Sequence, residues 1–220
     1  MMKNTTAIPT YSLKNFRNVH RETSSEAHFG HNELDAANVI NGFELYSSKG
    51  ITASAGPLKS GFYRISITVT GSLDMQIGLD HYTHQPRTLA FTFPNQIFSK
   101  NNISKDASGY YMLFNANFLS DLLPEIKIAD EFEFYNLFGI PVFQISNDEL
   151  NNILSFVMRI NDELQHEQAG REKAIKMYLY LLLLEVKRSY ERQFHTHANK
   201  ELSKVSLRTG FAVYISEVFQ

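Results

Sequence analysis

The sequence predicts an α+β protein in which a β sandwich or small barrel comes first and two long antiparallel helices follow. Three observations lead there. Short alternating segments rich in β-branched and aromatic residues recur between turn signals from residue 43 to about 114. The chain carries 17 Phe and 11 Tyr but no Trp, a supply of β-favouring aromatics suited to core or pocket walls. After residue 146 the apolar period changes from two to that of a helix.

In chain order, residues 1–42 are polar and irregular, with Pro9, His28 and His31, and read as an N-terminal arm. The β unit, 43–145, contains FELYSS (43–48), FYRISITVTG (62–71), LDMQIGL (73–79), TLAFTFP (88–94) and GYYMLF (109–114). The pair 62–71 and 73–79, broken at Gly71-Ser72, reads as a hairpin. NANFLSDLL after residue 114 reads as a short helix ended by Pro124, followed by the mixed stretch EFEFYNLFGIPVFQI. Residues 146–195 form the helical segment. Ser146 and Glu149 have capping-box spacing, and Leu150, Ile153, Leu154, Val157 and Leu164 continue at helical intervals to about Gln168. Gly170 separates a second helix, about Arg171 to Phe194, with Ile175, Leu179, Leu182, Val186 and Tyr190 on one stripe. Tyr178, Leu181 and Leu183 widen that stripe beyond what one wetted face needs. Two partners are therefore expected for this helix: the rest of the chain and a second subunit. The expected dimer contacts are Leu179, Leu182, Leu183, Val186 and Tyr190; packing wholly within the chain satisfies the same pattern. Residues 196–220 form a tail.

Composition excludes several function classes. A formal net charge of −2 provides no overall field for gripping nucleic-acid phosphates. With no Cys, disulfides, thiolate metal sites and a Cys nucleophile are excluded, which fits a reducing compartment. MMKNTTAIPTYSLKN lacks the apolar stretch of a secretion signal. The longest apolar run, MYLYLLLL, ends at Glu185, far short of the ~20 residues a membrane span needs. A cytoplasmic protein without membrane association is expected. No Gly-rich phosphate loop or nucleophile elbow is present, and neither catalysis nor a cofactor is expected.

Alternation in 62–71 puts Tyr63, Ile65, Ile67 and Val69 on one face and Phe62, Arg64, Ser66 and Thr68 on the other. Tyr63, Phe91 and Phe93 are expected to point inward, as core or as pocket wall. Arg64 has two readings: a guanidinium fork for a carboxylate ligand if it points inward, or a solvated residue beside its polar neighbours Ser66 and Thr68. The candidate ligand contacts are thus Tyr63, Arg64, Ile65, Phe91 and Phe93. His81 and His84, HxxH beside Asp80 with Pro86 close by, superficially offer metal ligands but read as a solvated turn. His195 and His197 read as surface residues, so no metal site is expected.

The runs GFYRISITVTGSLDMQIG, RTLAFTFPNQIFS and GYYMLFNANFL, in this order and spacing, resemble the cupin-like regulatory domain of AraC-type transcription regulators. The resemblance covers roughly residues 10–195. It implies a cupin-like, jelly-roll-like β-barrel and assigns linker and dimerisation roles to the two helices. Two departures matter. Where the family often has His near its first barrel strand, this chain reads PLKSGFYR; where it has His after the Pro-x-Gln turn, this chain has Phe98. The metal-holding set is missing, so the resemblance implies a small organic effector, or none, in the barrel.

The tail LSKVSLRTGFAVYISEVFQ resembles part of the family's helix-turn-helix unit through Gly210, Phe211, Tyr214, Ser216 and Phe219. Ser206 replaces the usual Ala, and Glu217 and Gln220 stand where basic residues commonly face phosphate. DNA contact is expected only through a helix-turn-helix region largely absent from this sequence. The resulting expectation is a ligand-sensing and dimerising regulator domain that binds a small organic effector in the barrel. The alternative is a metal-dependent cupin enzyme, an isomerase or dioxygenase.

Overall fold

The structure is a computed structural model and describes residues 7–22, 28–33, 39–120 and 122–218, with side chains through residue 194. Strand β1 (Thr10–Tyr11) and helix α1 (Leu13–His20) open the chain. Eight strands follow: β2 (Phe43–Ser47), β3 (Ala55–Ser60), β4 (Tyr63–Thr70), β5 (Leu73–Ile77), β6 (Asp80–His84), β7 (Thr88–Thr92), β8 (Ile97–Asn101) and β9 (Ser108–Phe114). Helix α2 (Ile128–Glu131), a 3-10 turn (Glu133–Tyr135) and β10 (Val142–Gln144) lead to α3 (Asn147–Gln165) and α4 (Arg171–Val218).

The strands form two five-stranded sheets, ordered β1-β3-β8-β5-β6 and β10-β7-β4-β9-β2. Among the described residues no strand ladder joins one sheet to the other, so the β unit is a pair of facing sheets rather than the expected barrel closed by hydrogen bonds. The expected hairpin at Gly71-Ser72 is a crossover. β4 pairs with β7 and β9, whereas β5 pairs with β6 and β8 in the opposite sheet. Gly71 permits this change of sheet: its φ is +69°, and a Cβ there would lie 2.5 Å from Ala107 backbone atoms. The first hairpin is β5–β6, turning at Gly78-Leu79. Gly109 opens β9 where a Cβ would meet the Ile67 carbonyl at 2.0 Å, so only glycine lets β9 approach β4 there.

The face assignment of β4 is inverted relative to the simple apolar-inward expectation. Ile65 and Ile67, with Leu89, Phe91, Met112 and Phe114, face the helices and form the main core with Ile153, Val157, Ile160 and Leu164 of α3. The opposite face, carrying Arg64, Ser66 and Thr68, looks toward the other sheet. Two apolar layers thus flank one sheet, and the inter-sheet space receives its more polar face.

The helix pair begins as the sequence predicts. Glu149 N–H donates to Ser146 Oγ at 3.2 Å, while Ser146 N–H donates to the Glu149 carboxylate at 2.7 Å, completing the capping box. Leu179, Leu182, Leu183 and Val186 are wholly buried and Tyr190 nearly so, all within the chain's own core. The width of the apolar face is therefore used against α3 on one side and the sheet and 3-10 turn on the other. These five side chains form core, not a surface open to a second subunit. The segment expected to be a short helix after residue 114 is a series of turns, yet it seats Phe118 and Leu119 in the core. Beyond Phe194 the backbone continues as α4 to Val218; the side chains of His195, His197, Gly210, Phe211, Tyr214, Ser216 and Phe219 lie outside the described residues.

The arm is more ordered than its composition suggests. Leu13, Phe16 and His20 recur at i, i+3 and i+7 and are buried, placing α1 across the inter-sheet space. The outer edge of β2 is completed by residues 31 and 32. His31 N–H donates to Leu45 O at 2.7 Å, Leu45 N–H to His31 Nδ1 at 3.0 Å, and Ser47 N–H to Asn32 Oδ1 at 3.2 Å. Arg17 from α1 donates to the carbonyls of both His31 and Asn32, so helix and edge segment are held as a unit.

Candidate functional site

Between the sheets lies a cavity of about 70 Å³. Its walls come from both sheets and α1: Arg64, Ser66 and Thr68 of β4, Tyr111 of β9, Leu73 and Met75 of β5, His84 of β6, Phe98 and Lys100 of β8, and Phe16 and His20 of α1. Strand parity explains the set. Residues 64, 66 and 68 share one face of β4, and residues 98 and 100 share one face of β8.

Arg64 is 5 % exposed. Its guanidinium lies 4.1 Å from the Phe98 ring centroid and 5.1 Å from that of Phe16, a cation held between aromatic faces. No carboxylate lines this cavity among the described residues, and Arg64 Nε has no hydrogen-bond partner there. Burial pulls its pKa down to about 10, a value at which the side chain stays charged at neutral pH. A second cation stands nearby. Lys100 Nζ donates to Thr52 O at 2.7 Å, and burial, with Arg64 and Arg21 close by, pulls the amine down to about 7. Arg21 is differently placed: it donates to Ser47 O at 3.0 Å and to the Tyr111 hydroxyl at 2.8 Å, and to Lys49 O, which ties α1 to the sheet.

Both histidines of the cavity are neutral at pH 7. Burial pulls His20 down to about 2, partly opposed by its hydrogen bond to Phe16 O, and pulls His84 down to about 4. His20 Nδ1 is 2.7 Å from Phe16 O; a carbonyl only accepts, so Nδ1 carries the hydrogen and Nε2 presents a lone pair. His84 Nδ1 is 3.3 Å from Thr68 Oγ1. Nε2 of each ring is buried without a partner among the described residues. An apolar cavity that contains an unpaired guanidinium, a lysine and two orphan imidazole nitrogens leaves desolvation costs that an occupant could offset.

Of the five candidate ligand contacts, all among the described residues, only Arg64 lines the cavity. Its solvated reading is overturned by its burial. Tyr63, Ile65, Phe91 and Phe93 lie on the helix-facing side, where Ile65 and Phe91 are fully buried and Tyr63 and Phe93 pack partly covered against the same core. Phe91 packs against Phe134 at 4.3 Å between ring centroids with the rings tilted by 40°, and Tyr63 meets Tyr135 edge-on at 4.9 Å. The solvated turn expected at 80–84 is β6, an edge strand. Spacing of three puts His81 and His84 on opposite faces: His81 is exposed and His84 is fully buried. Among the described residues, no group of three or more His, Asp or Glu could hold a metal ion, so the metal-dependent enzyme alternative finds no donor set there.

Phe16, His20 and Lys100 are cavity residues that the sequence reading did not select, and His84 was read there only as part of a solvated turn. The i, i+3, i+7 pattern in LKNFRNVH and the lone Lys on the Phe98 face of IFSKN were available signals; only the pairing of sheets shows that they converge.

No protein-family model and no curated protein matches the sequence. The structure resembles ToxT from Vibrio cholerae, an AraC-type transcriptional regulator, over most of the chain at low identity. Apo ToxT matches at 15 % identity with a TM-score of 0.47, covering 69 % of this chain and 58 % of that one. Unsaturated fatty acid-bound ToxT matches at 15 % identity with a TM-score of 0.42, covering 69 % and 56 %. A cupin 2 conserved barrel domain protein from Salinispora arenicola matches at 17 % identity and a TM-score of 0.30, over 36 % of this chain and 67 % of that chain. The chain thus spans a little over half the length of the ToxT chains it matches.

Proposed function

We propose that this chain is the ligand-sensing and dimerisation module of an AraC-type transcription regulator, and that its effector is a small organic anion held between the sheets. The anion reading rests on one observation: Arg64 is buried against two aromatic rings with no carboxylate lining its cavity among the described residues. A guanidinium there binds a carboxylate without first having to break an internal ion pair, and charge-assisted hydrogen bonds strengthen in a dry site. Lys100 supplies a second positive group once an anion raises its proton affinity. The cavity is far below the several hundred Å³ of a drug-sized pocket, which favours a short acid. The regulator assignment rests on the sequence resemblance of residues 61–119 and of the helices.

Phe16 and His20 contribute α1 to the cavity wall, so an occupant acts on the arm directly. Any change of state requires different affinity for two arrangements, and the arm's packing is the element that contacts the ligand. Dimerisation in this proposal uses the outer side of α4, where Met177 and Leu181 are 48 % and 42 % exposed, rather than the buried stripe. No DNA contact is assigned to the described side chains.

The test is calorimetric titration with hexanoate and, as a charge control, hexylamine. Binding of the acid alone, lost in Arg64→Met, supports the reading. Equal binding of both, or acid binding that survives Arg64→Met, contradicts it.

A further inference from the structure

The cavity has a second polar pole that an aliphatic acid would leave unsatisfied. Arg64 and Thr68 lie four residues apart on the same face of β4, about 13 Å along the strand at ordinary β rise. Thr68 holds His84 through the 3.3 Å contact between Oγ1 and Nδ1. His84 is 0 % exposed, it lines the cavity, and its Nε2 has no hydrogen-bond partner among the described residues. The wall on the facing sheet between the poles includes Met75 and Leu73, and Leu73 is the direct strand partner of His84. The register puts Lys100 opposite Met75, two residues from Leu73, so the cavity runs from Arg64 at Phe98, past Ser66, Met75 and Lys100, to His84 beside Leu73.

We propose that the ligand bears, opposite its acid group, an uncharged hydrogen-bonding group such as a hydroxyl or carbonyl, recognised by His84 Nε2. This inference rests on the acid-binding reading above and extends it to the other end of the molecule. Either tautomer serves: with hydrogen on Nδ1, Nε2 accepts from a hydroxyl; with hydrogen on Nε2, it donates to a hydroxyl or carbonyl. At His84 itself a second carboxylate is disfavoured, because the ring is neutral at pH 7 and the negative charge of Asp74 already acts on it. Thr68 is a positioning residue that fixes the ring's orientation.

The deciding experiment is calorimetry on the full chain with straight-chain acids from butanoate to octanoate, each paired with the counterpart carrying a terminal hydroxyl. At the best-fitting length, the hydroxy acid is expected to bind about tenfold more tightly than the plain acid, the scale of one buried hydrogen bond otherwise left unmade. His84→Leu should erase that preference while leaving the plain acid within about twofold of its original affinity. Thr68→Val, a smaller change, should weaken the preference and provides the reading if His84→Leu does not fold. Plain acids binding as tightly as hydroxy acids, or a preference unchanged in both variants, overturns the His84 assignment; continued loss of acid binding in Arg64→Met then shows that the anion site itself stands. Failure of every acid to bind the native chain overturns both.

Discussion

Replacing Arg64 with methionine separates the cost of an unpaired buried charge from its use. Burial has moved the guanidinium from its ordinary value of 12.5 to about 10, and each unit corresponds to about 1.4 kcal/mol. The charged form in the empty protein therefore carries a penalty on the order of 3 kcal/mol, offset by roughly 1–2 kcal/mol from the two aromatic faces. Methionine fills much of the same space, keeps contact with Phe16 and Phe98, and leaves no charge to desolvate. The variant is expected to be more stable than the native chain by about 1 kcal/mol, a rise of about 2–4 °C in Tm for a chain of this size. At the same time, hexanoate affinity should fall by at least about 100-fold, the scale of losing a buried charge-assisted contact. Differential scanning calorimetry and titration on the same preparation give both numbers. A variant destabilised by about 2 kcal/mol or more, with unchanged acid affinity, would refute the idea that Arg64 is held for a ligand and would make it a structural side chain.

Acid binding should weaken as pH rises above about 7, where Lys100 of the empty protein loses its proton; a bound anion raises that pKa, so binding takes up protons. Calorimetry in buffers of different ionisation enthalpy reads the uptake, and Lys100→Met should abolish it. Without ligand, the depressed Lys100 pKa means the unfolded chain holds more protons between about 7 and 10.5, so this group's contribution makes folding more favourable as pH rises through that window. Glu44 behaves oppositely. Burial, partly opposed by the Tyr46 hydroxyl at 3.0 Å and by Arg17, raises its pKa from 4.5 to about 7, so its cost is absent below about 4.5 and complete above about 7. Glu44→Gln should therefore raise Tm at pH 8 and change it little at pH 4.5, measured by thermal melts. On α4, Leu182→Ala should cost about 2–5 kcal/mol in denaturant unfolding because Leu182 is wholly buried. Leu181→Glu should leave the fold intact and shift sedimentation from dimer to monomer; a fold-intact dimer in that variant would remove α4's outer face from the proposed contact.

Local signals in the sequence carried the elements whose logic is local. Ser146 and Glu149 announce the start of α3, and the stripe from Ile175 to Tyr190 announces α4. What those signals could not specify was which surface covers an apolar face. The broad stripe on α4 is covered by α3 and the sheet rather than by another subunit. The Gly71-Ser72 link illustrates the same limit: glycine at positive φ serves a hairpin and a crossover alike, and the choice depends on which strands lie beside β4 and β5. Arg64 was recognisable because a charge in an apolar strand is unusual, but its direction was not, since polar neighbours of the same parity suit either water or a polar cavity. Lys100 and His84 become site residues only when β8 and β6 are brought opposite β4, a long-range event that no window of neighbouring residues encodes.

The most direct measurement is a crystal structure of the chain soaked with a terminally brominated hexanoate, whose anomalous signal locates the far end of the molecule. The predicted result is the carboxylate in hydrogen-bond contact with the Arg64 guanidinium and the bromine toward Leu73 and His84. An empty inter-sheet cavity under saturating acid, or an acid seated with its carboxylate away from Arg64, would contradict the anion site.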